Sequence, residues 1–449
     1  MKICLISHYY PPESTGGIEI YTENLARVFH ARGHEVQVIC AGRKSPAAQY
    51  TAPPRDTIQD EIKIRRYDIN WRLAPNPFQY LYNNPQAARW IEEFLEENRP
   101  DVAHITSTYS LSASIIFAVR SLGIPTFVTL YDFWFLCPRT SLLTSNNTNC
   151  DGNVTTTTCL DCMAQDSRFF RRLKKKLPPF LYANLLKTLS HSPIPLKFHG
   201  LENLIGSYAA RRNYIKKAIQ TVNRLITPCR FMDDFFRSHD FPSHLFLLIP
   251  AGISTSWYTQ RIPRYKSDFL RIGYLGQVIP TKGVHTLIEA AALLKGSYQV
   301  NIYGSLAQEP AYADSLTQMA RGNPNIAFRG AYTRADLEEI LAHLDLVVMP
   351  SLFQEPFGIV AREALLTHTP VVAAAQGGII EAIQPGVNGE LFPPGDAVSL
   401  SQILQKLIDQ PAIVEKWKEA PVRIRTLEDE ASDLEAEYQR WLTSSQIIK

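Results

Sequence analysis

The sequence predicts an α/β protein built from two doubly wound parallel-sheet domains, and three observations carry that prediction. Short apolar runs rich in β-branched residues, among them KICLIS from Lys2, HEVQVIC from His34 and LDLVVMP from Leu344, alternate with segments of helical spacing. Such alternation marks a parallel sheet with helices packed on its faces. Several of the runs end in glycine, at Gly16 and Gly17, at Gly276, at Gly304 and at Gly330, as turns at the ligand-binding end of such a sheet do. With 449 residues the chain is too long for one ordinary core, so two or three domains are expected.

Composition narrows the function classes. A hydrophobic content of 45% with 20% charged residues describes a water-soluble globular chain, and a formal charge of +3 leaves no electrostatic footprint for nucleic acid. No run is long and apolar enough to cross a membrane. MKICLIS is too short for the core of a secretion signal and reads as a first strand, so a cytoplasmic protein is expected. Asn146 and Asn153 begin N-x-T sequences, which are read as chance matches in that setting. Of seven cysteines, Cys4, Cys40 and Cys229 lie in strand-like or helix-edge segments where a buried thiol is the default.

Taken in order, KICLIS is a strand, and HYYPPESTGGIEIY is the loop at its carboxyl end. Gly16 and Gly17 precede a helix from Ile18 to Arg32, whose N–H groups make an anion site. The strand HEVQVIC and the helical RWIEEFLEENRP continue the rhythm. In DVAHITS, His104 stands at a strand end, where a structural role is the more frequent one. TFVTLYDFWFLCPR, Thr126 to Arg139, is a further strand carrying Asp132 near its end.

An insertion near 137–207 interrupts the first domain. Cys137, Cys150, Cys159 and Cys162 fall within 26 positions and finish in a C-L-D-C pair. Four thiolates at that density suit a structural zinc ion, but only one tight pair is present, so a reducible disulfide and free thiols stay open beside it. SRFFRRLKKKLPPFLYANLLKTL, Ser167 to Leu189, follows as a basic helix, with Arg168, Arg171, Arg172, Lys174, Lys175 and Lys176 among Phe169, Phe170 and Leu173. Such a helix can lie on an anionic membrane surface, and it reads equally as a solvated face.

The second domain opens at FLRIGYLGQVIPTKG. Its centre is PSLFQEPFGIVAREALLTHTPVVA, Pro350 to Ala373, which follows the strand LDLVVMP. Pro356 suits a first helical turn, Gly358 permits close backbone approach, and the helix N-terminus favours a diphosphate. Glu355 lies in the loop before the helix. Glu363 lies roughly 8 to 10 Å further along at ~1.5 Å per residue, so the two acids meet different parts of one long ligand.

The spacing from Glu355 to Glu363 resembles the E-x7-E motif of the group 1 (GT4) family of retaining glycosyltransferases, in its form E-P-F-G-x-x-x-x-E. GGIIEAI and PGVNGELFPPGD, Gly377 to Asp396, continue the pattern. The resemblance covers the first 40 residues, with ARGHEVQVI as second strand, and Arg271 to Asp396. Between Lys44 and Phe246 it is thin outside Thr126 to Arg139. It implies the GT-B fold, two Rossmann-like domains facing each other across a cleft. The expected division is residues 1–250 on the acceptor side, 251–411 on the nucleotide-sugar side, and a helical segment 412–449 returning to the first domain.

By the same resemblance Glu355 faces the donor sugar, Glu363 holds the ribose, and Phe357, Gly358, Gly276, Gly304, Gly16 and Gly17 line the donor. In a G-R-L-x-x-x-K-G stretch Gly276 and Lys282 match while Gln277 replaces Arg, so Lys282 must carry most of the charge facing the diphosphate. A segment that often reads H-D-F-W has Tyr131 in place of His, which leaves Asp132 to orient the acceptor hydroxyl. LFLLIPAGIS resembles the crossing between domains, with Ala251 and Ser254 replacing a polar pair. The implied reaction moves a sugar, from a UDP- or GDP-sugar, to a hydroxyl of a glycan or lipid-linked glycan in cell-surface polysaccharide synthesis. No metal or cofactor is required by it. Two other classes stay in view: a sugar-nucleotide oxidoreductase or epimerase, against which the missing G-x-G-x-x-G argues, and a non-catalytic nucleotide-sugar binder, suggested by Gln277 and Tyr131.

Overall fold

Eight strands form the first sheet: β1 (Lys2–Ser7), β2 (Glu35–Gly42), β3 (Arg55–Gln59), β4 (Ile62–Asp68), β5 (Val102–Ile105), β6 (Thr126–Thr129), β7 (Arg224–Thr227) and β8 (Phe246–Leu248). Their order is β3-β4-β2-β1-β5-β6-β7-β8, parallel except for the β3–β4 hairpin at one edge. The computed structural model describes residues 1–44, 46, 48–146, 148–165, 167–191, 208–260, 262–265, 267–421 and 423–447. β1 and β5 are buried along nearly their whole length, as strands covered on both faces must be. The strand expected over Thr126 to Arg139 stops at Thr129. Beyond it the chain turns, with Asp132 Oδ1 accepting the Trp134 N–H at 2.8 Å.

The second sheet is wholly parallel, in the order β11-β10-β9-β12-β13-β14, with β9 (Leu270–Leu275), β10 (Tyr298–Tyr303), β11 (Ile326–Gly330), β12 (Leu346–Met349), β13 (Val371–Ala374) and β14 (Gly389–Phe392). Leu270, Ile272 and Tyr274 of β9 join Val300 and Ile302 of β10 in one buried cluster, and Val347, Val371 and Ala373 belong to another. Period-two alternation sends neighbouring residues to opposite faces, which is why one sheet supports two cores.

The chain divides after Pro250: Met1–Asn146, Cys150–Pro250 and Leu427–Lys449 make up the first unit, and Ala251–Thr426 the bulk of the second. The third segment therefore begins later than the expected 412. Val414 and Trp417 are buried in the core of the second unit, which retains residues up to Thr426.

The helix Leu427–Ile447 packs on the first helix, Gly17–Ala31, in the first unit. Glu430, 1% exposed, accepts the Tyr21 hydroxyl at 2.7 Å and the Tyr131 hydroxyl at 3.1 Å. Tyr438 bonds His104 Nδ1, while His104 Nε2 meets Thr129 Oγ1 at 2.6 Å. Burial pushes the His104 ring down to about 3, so it is a neutral part of the core.

The insertion forms its own small core. Leu160, Ala164, Phe170, Tyr182 and Leu186 are buried together by the helices Thr156–Ala164, Arg168–Lys176 and Pro179–His191. The single basic helix expected through Leu189 is broken at Pro178, which cannot continue it. Residues 192–207 of the insertion lie outside the described residues.

Candidate functional site

In an open parallel sheet, ligands bind at the carboxyl ends of the strands where the order reverses. In the second unit that point lies between β9 and β12. The loop after β9 carries Gly276, Gln277 and Lys282, and the loop after β12 carries Ser351, Glu355 and Gly358. Lys282 Nζ lies 2.6 Å from Glu355 Oε1, which also accepts the Ser351 hydroxyl at 2.6 Å. The Lys282 ammonium stands 4.7 Å from the centre of the Phe353 ring. Two of the sequence-predicted site residues are thus in direct contact. Ser351 and Phe353 were not singled out, because no spacing rule marks them.

Two glycines hold this arrangement. Gly377 has φ +66°, and a Cβ there would overlap the backbone of Glu355, whose carbonyl accepts the Gly378 N–H at 2.7 Å. Gly283, also at φ +66°, lies against the carbonyl of Pro350. Only residues without a side chain let the three loops close to this distance. The loops are tied further by the Leu352 N–H to the Thr281 carbonyl, 2.8 Å, and by Gln376, which donates to the Ser351 carbonyl.

Other predicted donor residues serve the scaffold. The N–H of Gly276 donates to the Tyr303 carbonyl at 3.1 Å and that of Gly304 to the Gly330 carbonyl at 2.8 Å, so neither N–H is turned to a ligand. Gln277 is exposed, and its carbonyl accepts the Tyr274 hydroxyl at 2.6 Å. Phe357 is 5% exposed, with the Arg362 guanidinium 3.7 Å from its ring centre. The helix begins at Ile359, later than Pro356 suggested, because Gly358 takes the left-handed conformation at φ +74° and sets the N-cap there.

Glu363 lies in that helix, Ile359–Leu366, and is 4% exposed. Arg334 Nη1 approaches its Oε1 to 2.7 Å, yet off the hydrogen-bonding direction, so that oxygen is buried without a hydrogen bond among the described residues. Burial pushes the carboxyl above its ordinary range, and Arg334 pulls it back only in part. A buried carboxylate oxygen with an unused lone pair is suited to a ligand hydroxyl. Arg334 in turn stands 6.0 Å from the Trp257 ring centre.

In the first unit the order reverses between β1 and β5. His8 follows β1, and Ser107, Thr108 and Tyr109 follow β5. The anion expected at the N-terminus after Gly16 and Gly17 is supplied by the chain itself. The Glu19 carboxylate lies over Gly16, filling the space a side chain there would need, and accepts the Ser14 hydroxyl at 2.6 Å. His8 Nε2 is 3.4 Å away. Burial would raise Glu19, but His8 and Ser14 outweigh it and hold the carboxyl down to about 2. A phosphate would meet a fixed negative charge at this helix end. Asp132 is half-buried; burial pushes its carboxyl up, while the Trp134 N–H, His8 and Arg211 pull it down. Tyr131 faces the core, 8% exposed and bonded to Glu430.

Among the described residues no group of three or more His, Cys, Asp or Glu could hold a metal ion, and none of the four cysteines is in a disulfide. Cys159 and Cys162 are wound into one helix, Cys150 precedes it and accepts the Gly152 N–H, and Cys137 sits in the turn after β6, where burial pushes its thiol up. In the basic helix Phe170 is 1% exposed, so it belongs to the core of the insertion and not to a surface. Lys174 pairs with Asp161. Arg168, Arg171, Arg172, Lys175 and Lys176 are exposed, beside Phe169 (58%), Phe180 (65%) and Leu181 (46%). No helix among the described residues is long and apolar enough to cross a membrane.

Two family models match the chain: glycosyl transferases group 1 over residues 259–421, and a glycosyl transferase 4-like domain over residues 16–169. Alpha-maltose-1-phosphate synthase of Mycobacterium tuberculosis is 28% identical over 254 residues, which are 51% of this chain and 65% of that protein, under two thirds of its length. Sucrose-phosphate synthase from Thermosynechococcus elongatus superposes with a TM-score of 0.66 at 16% identity, covering 99% of this chain and 100% of that one. Anabaena HepE in complex with UDP and glucose gives 0.61 at 18% identity, covering 99% of each.

Proposed function

Since the chain belongs to the group 1 glycosyltransferases and has their GT-B fold, we propose that it moves a sugar from a nucleotide diphosphate sugar to a hydroxyl acceptor with retention of configuration. The observation that carries this reading is the Lys282–Glu355 contact at the switch point of the second sheet, with Glu363 in the following helix. The barrier to such a transfer is departure of the nucleoside diphosphate. Lys282 would neutralise the charge growing on it, helped by the N-terminus of Ile359–Leu366, and no metal would be needed. Glu355 would hold the hexose and Glu363 the ribose. UDP bound to a structural neighbour supports a uridine or similar donor, and a UDP- or GDP-sugar is the donor assigned.

The acceptor is assigned as a glycan or lipid-linked glycan of cell-surface polysaccharide synthesis, reached by a cytoplasmic protein resting on the membrane. The exposed Arg168, Arg171, Arg172, Lys175 and Lys176 beside Phe169, Phe180 and Leu181 support that placement, since basic residues each contribute about 1 kcal/mol near an anionic surface. Flotation with anionic vesicles should be strong at low salt and lost at high salt. Protein that never floats removes the membrane from the proposal.

Nucleotide release from UDP-, GDP- and ADP-sugars tests the reaction itself. Stabilisation by a nucleotide with neither transfer nor hydrolysis would reduce the protein to a nucleotide-sugar binder.

A further inference from the structure

Strands covered on both faces of a parallel sheet read as near-continuous apolar runs. β10, with the sequence YQVNIY, breaks that rule although it has a strand on each side. Tyr298, Val300 and Ile302 belong to the core of the second unit, so Gln299, Asn301 and Tyr303 share the other face. Arg271 of β9 and Arg329 of β11 lie on that same face. Over β12 and β13 it is covered by the helices Leu337–Ala342 and Ile359–Leu366. Over β10 and β11 it floors a cleft of about 630 Å³, walled by Asp268 and Phe269 ahead of β9 and by His343 after the first of those helices. Small ligands occupy clefts of that size.

The polar groups of the cleft are held in place. Arg329 Nε donates to Asn301 Oδ1 at 2.8 Å, and the Asn301 amide reaches Gln299 Oε1 at 3.4 Å. This row leaves the Arg329 Nη groups and the Gln299 amide N–H groups for a ligand. At the wall, His343 Nδ1 donates to the Glu339 carbonyl at 2.8 Å and the Tyr265 ring stacks on the imidazole at 3.9 Å, so the ring is fixed with Nε2 left over. Tyr303 and Phe269, the latter 42% exposed, add ring surface.

Charge selects the ligand. Arg271 is neutralised by Asp345, which it meets through Nε and Nη2 at 2.9 Å each. One exposed cation, Arg329, and one exposed carboxylate, Asp268, are left. A cleft so balanced favours a ligand without net charge. Fixed donors, an imidazole nitrogen, a carboxylate and ring faces together match a neutral sugar chain, whose hydroxyls both donate and accept and whose C–H faces pack on rings.

We propose that this cleft is a carbohydrate site distinct from the transfer site, holding a neutral glycan chain through Arg329, Gln299 and His343, with Tyr303 and Phe269 against its sugar rings. Phe269 precedes β9 and Gln277 follows it, so the Phe269 end of the cleft lies about 20 Å from the donor loop at ~3.3 Å per strand residue. The proposal does not depend on the chemistry at that loop.

The test is native electrophoresis of the full chain through gels containing dextran, soluble starch or galactomannan, with dextran sulfate as the charged probe. Wild type should be retarded by at least one of the neutral polymers. Arg329→Ala combined with Gln299→Ala should lower that affinity roughly fivefold or more, as two lost hydrogen bonds do. Phe269→Ser, a separate change at an exposed ring, should lower it too. Both variants should keep wild-type nucleotide release, and whichever keeps the wild-type circular dichroism spectrum gives the reading. Wild type retarded by none of the neutral polymers, or by dextran sulfate alone, overturns the proposal. So does retardation that survives both changes, which would put the glycan elsewhere on the protein. Wild type that releases no nucleotide, yet shows retardation that the variants abolish, sinks the transfer reading alone and leaves the cleft standing.

Discussion

At the carboxyl ends of β9 and β12 both carboxylates of the motif already have a cation beside them, Glu355 with Lys282 at 2.6 Å and Glu363 with Arg334 at 2.7 Å. At the carboxyl ends of β1 and β5 the pattern is reversed: a carboxylate and an imidazole satisfy each other, and Ser7, His8 and Thr108 keep polar atoms unused. The difference is one of charge: the end in the second unit holds ion pairs, whereas the unused atoms at the end in the first unit are neutral and sealed from solvent. A phosphate-bearing ligand exchanges ion pairs, so its site must hold cations in store.

The sharpest way to break the comparison is Lys282→Ala. It removes the cation from the donor end and strands Glu355, which is 6% exposed. Turnover read as nucleotide release should fall by roughly 10²–10³-fold, as when one preorganised charge is withdrawn from a developing anion. Loss of a buried partner should also lower stability by up to about 3 kcal/mol. A variant that keeps wild-type turnover would mean that another group stabilises the leaving diphosphate.

Glu363→Gln is next. On the role proposed for Glu363, each charge-assisted bond lost to ribose should cost about 1.5–3 kcal/mol, roughly 10- to 150-fold in UDP affinity by calorimetry. The raised carboxyl adds a pH signature. Protonation in acid should weaken nucleotide binding, and it should begin at higher pH than for an ordinary glutamate. Stability runs the other way. A carboxyl whose folded value lies above its unfolded value binds protons more readily when folded, so its contribution favours folding in acid and declines as pH rises between the two values. Urea midpoints of wild type and Glu363→Gln should therefore converge at low pH and separate, in favour of the variant, above it.

The scaffold of the first unit yields smaller effects. Glu430→Ala leaves the hydroxyls of Tyr21 and Tyr131 buried without their shared acceptor, at about 1–3 kcal/mol for each group stranded. Tyr131→Phe removes one donor and leaves the acceptor satisfied by Tyr21, so about 0.5–1.5 kcal/mol is expected. Equal costs for the two variants in urea titrations would show that Glu430 is held by something other than these tyrosines.

Legibility in the sequence follows the same division. Glu355 and Glu363 were readable because one motif spaces them across a strand end and the helix after it, and Lys282 because a second stretch, Gly276 to Gly283, marks it. Both sheets were readable from runs such as LDLVVMP and HEVQVIC. Arg334 and Ser351 were not, since each reaches the site through side-chain direction alone. Glu19 was passed over because a glutamate in the first turn of a helix looks like any first-turn acid, and only the fold shows it filling the place of an external anion. The cysteine density suggested a metal because sequence spacing counts thiols without placing them; Cys159 and Cys162 lie in the helix Thr156–Ala164, and among the described residues no group of three or more His, Cys, Asp or Glu could hold an ion. The return to the first unit was placed at 412 because charge and helical spacing are continuous there, whereas burial of Trp417 in the second unit is a tertiary fact.

The smallest expected effect, and the one that sharpens the comparison most finely, is a gain. Gln277 stands in the loop after β9 where the family pattern has Arg, and its side chain is exposed while its carbonyl is held by the Tyr274 hydroxyl at 2.6 Å. Gln277→Arg should therefore leave the backbone in place and add a second cation to the end that already holds Lys282. At an exposed position an added charge is screened, so its interaction with a diphosphate should be worth about 0.5–1 kcal/mol, a two- to five-fold gain in UDP affinity that shrinks as salt rises. The same substitution should not alter the affinity for uridine, which carries no phosphate. A gain shared by uridine would place residue 277 against the base or ribose, and a loss of UDP affinity would mean that the Gln amide makes a contact with the diphosphate that Arg cannot reproduce.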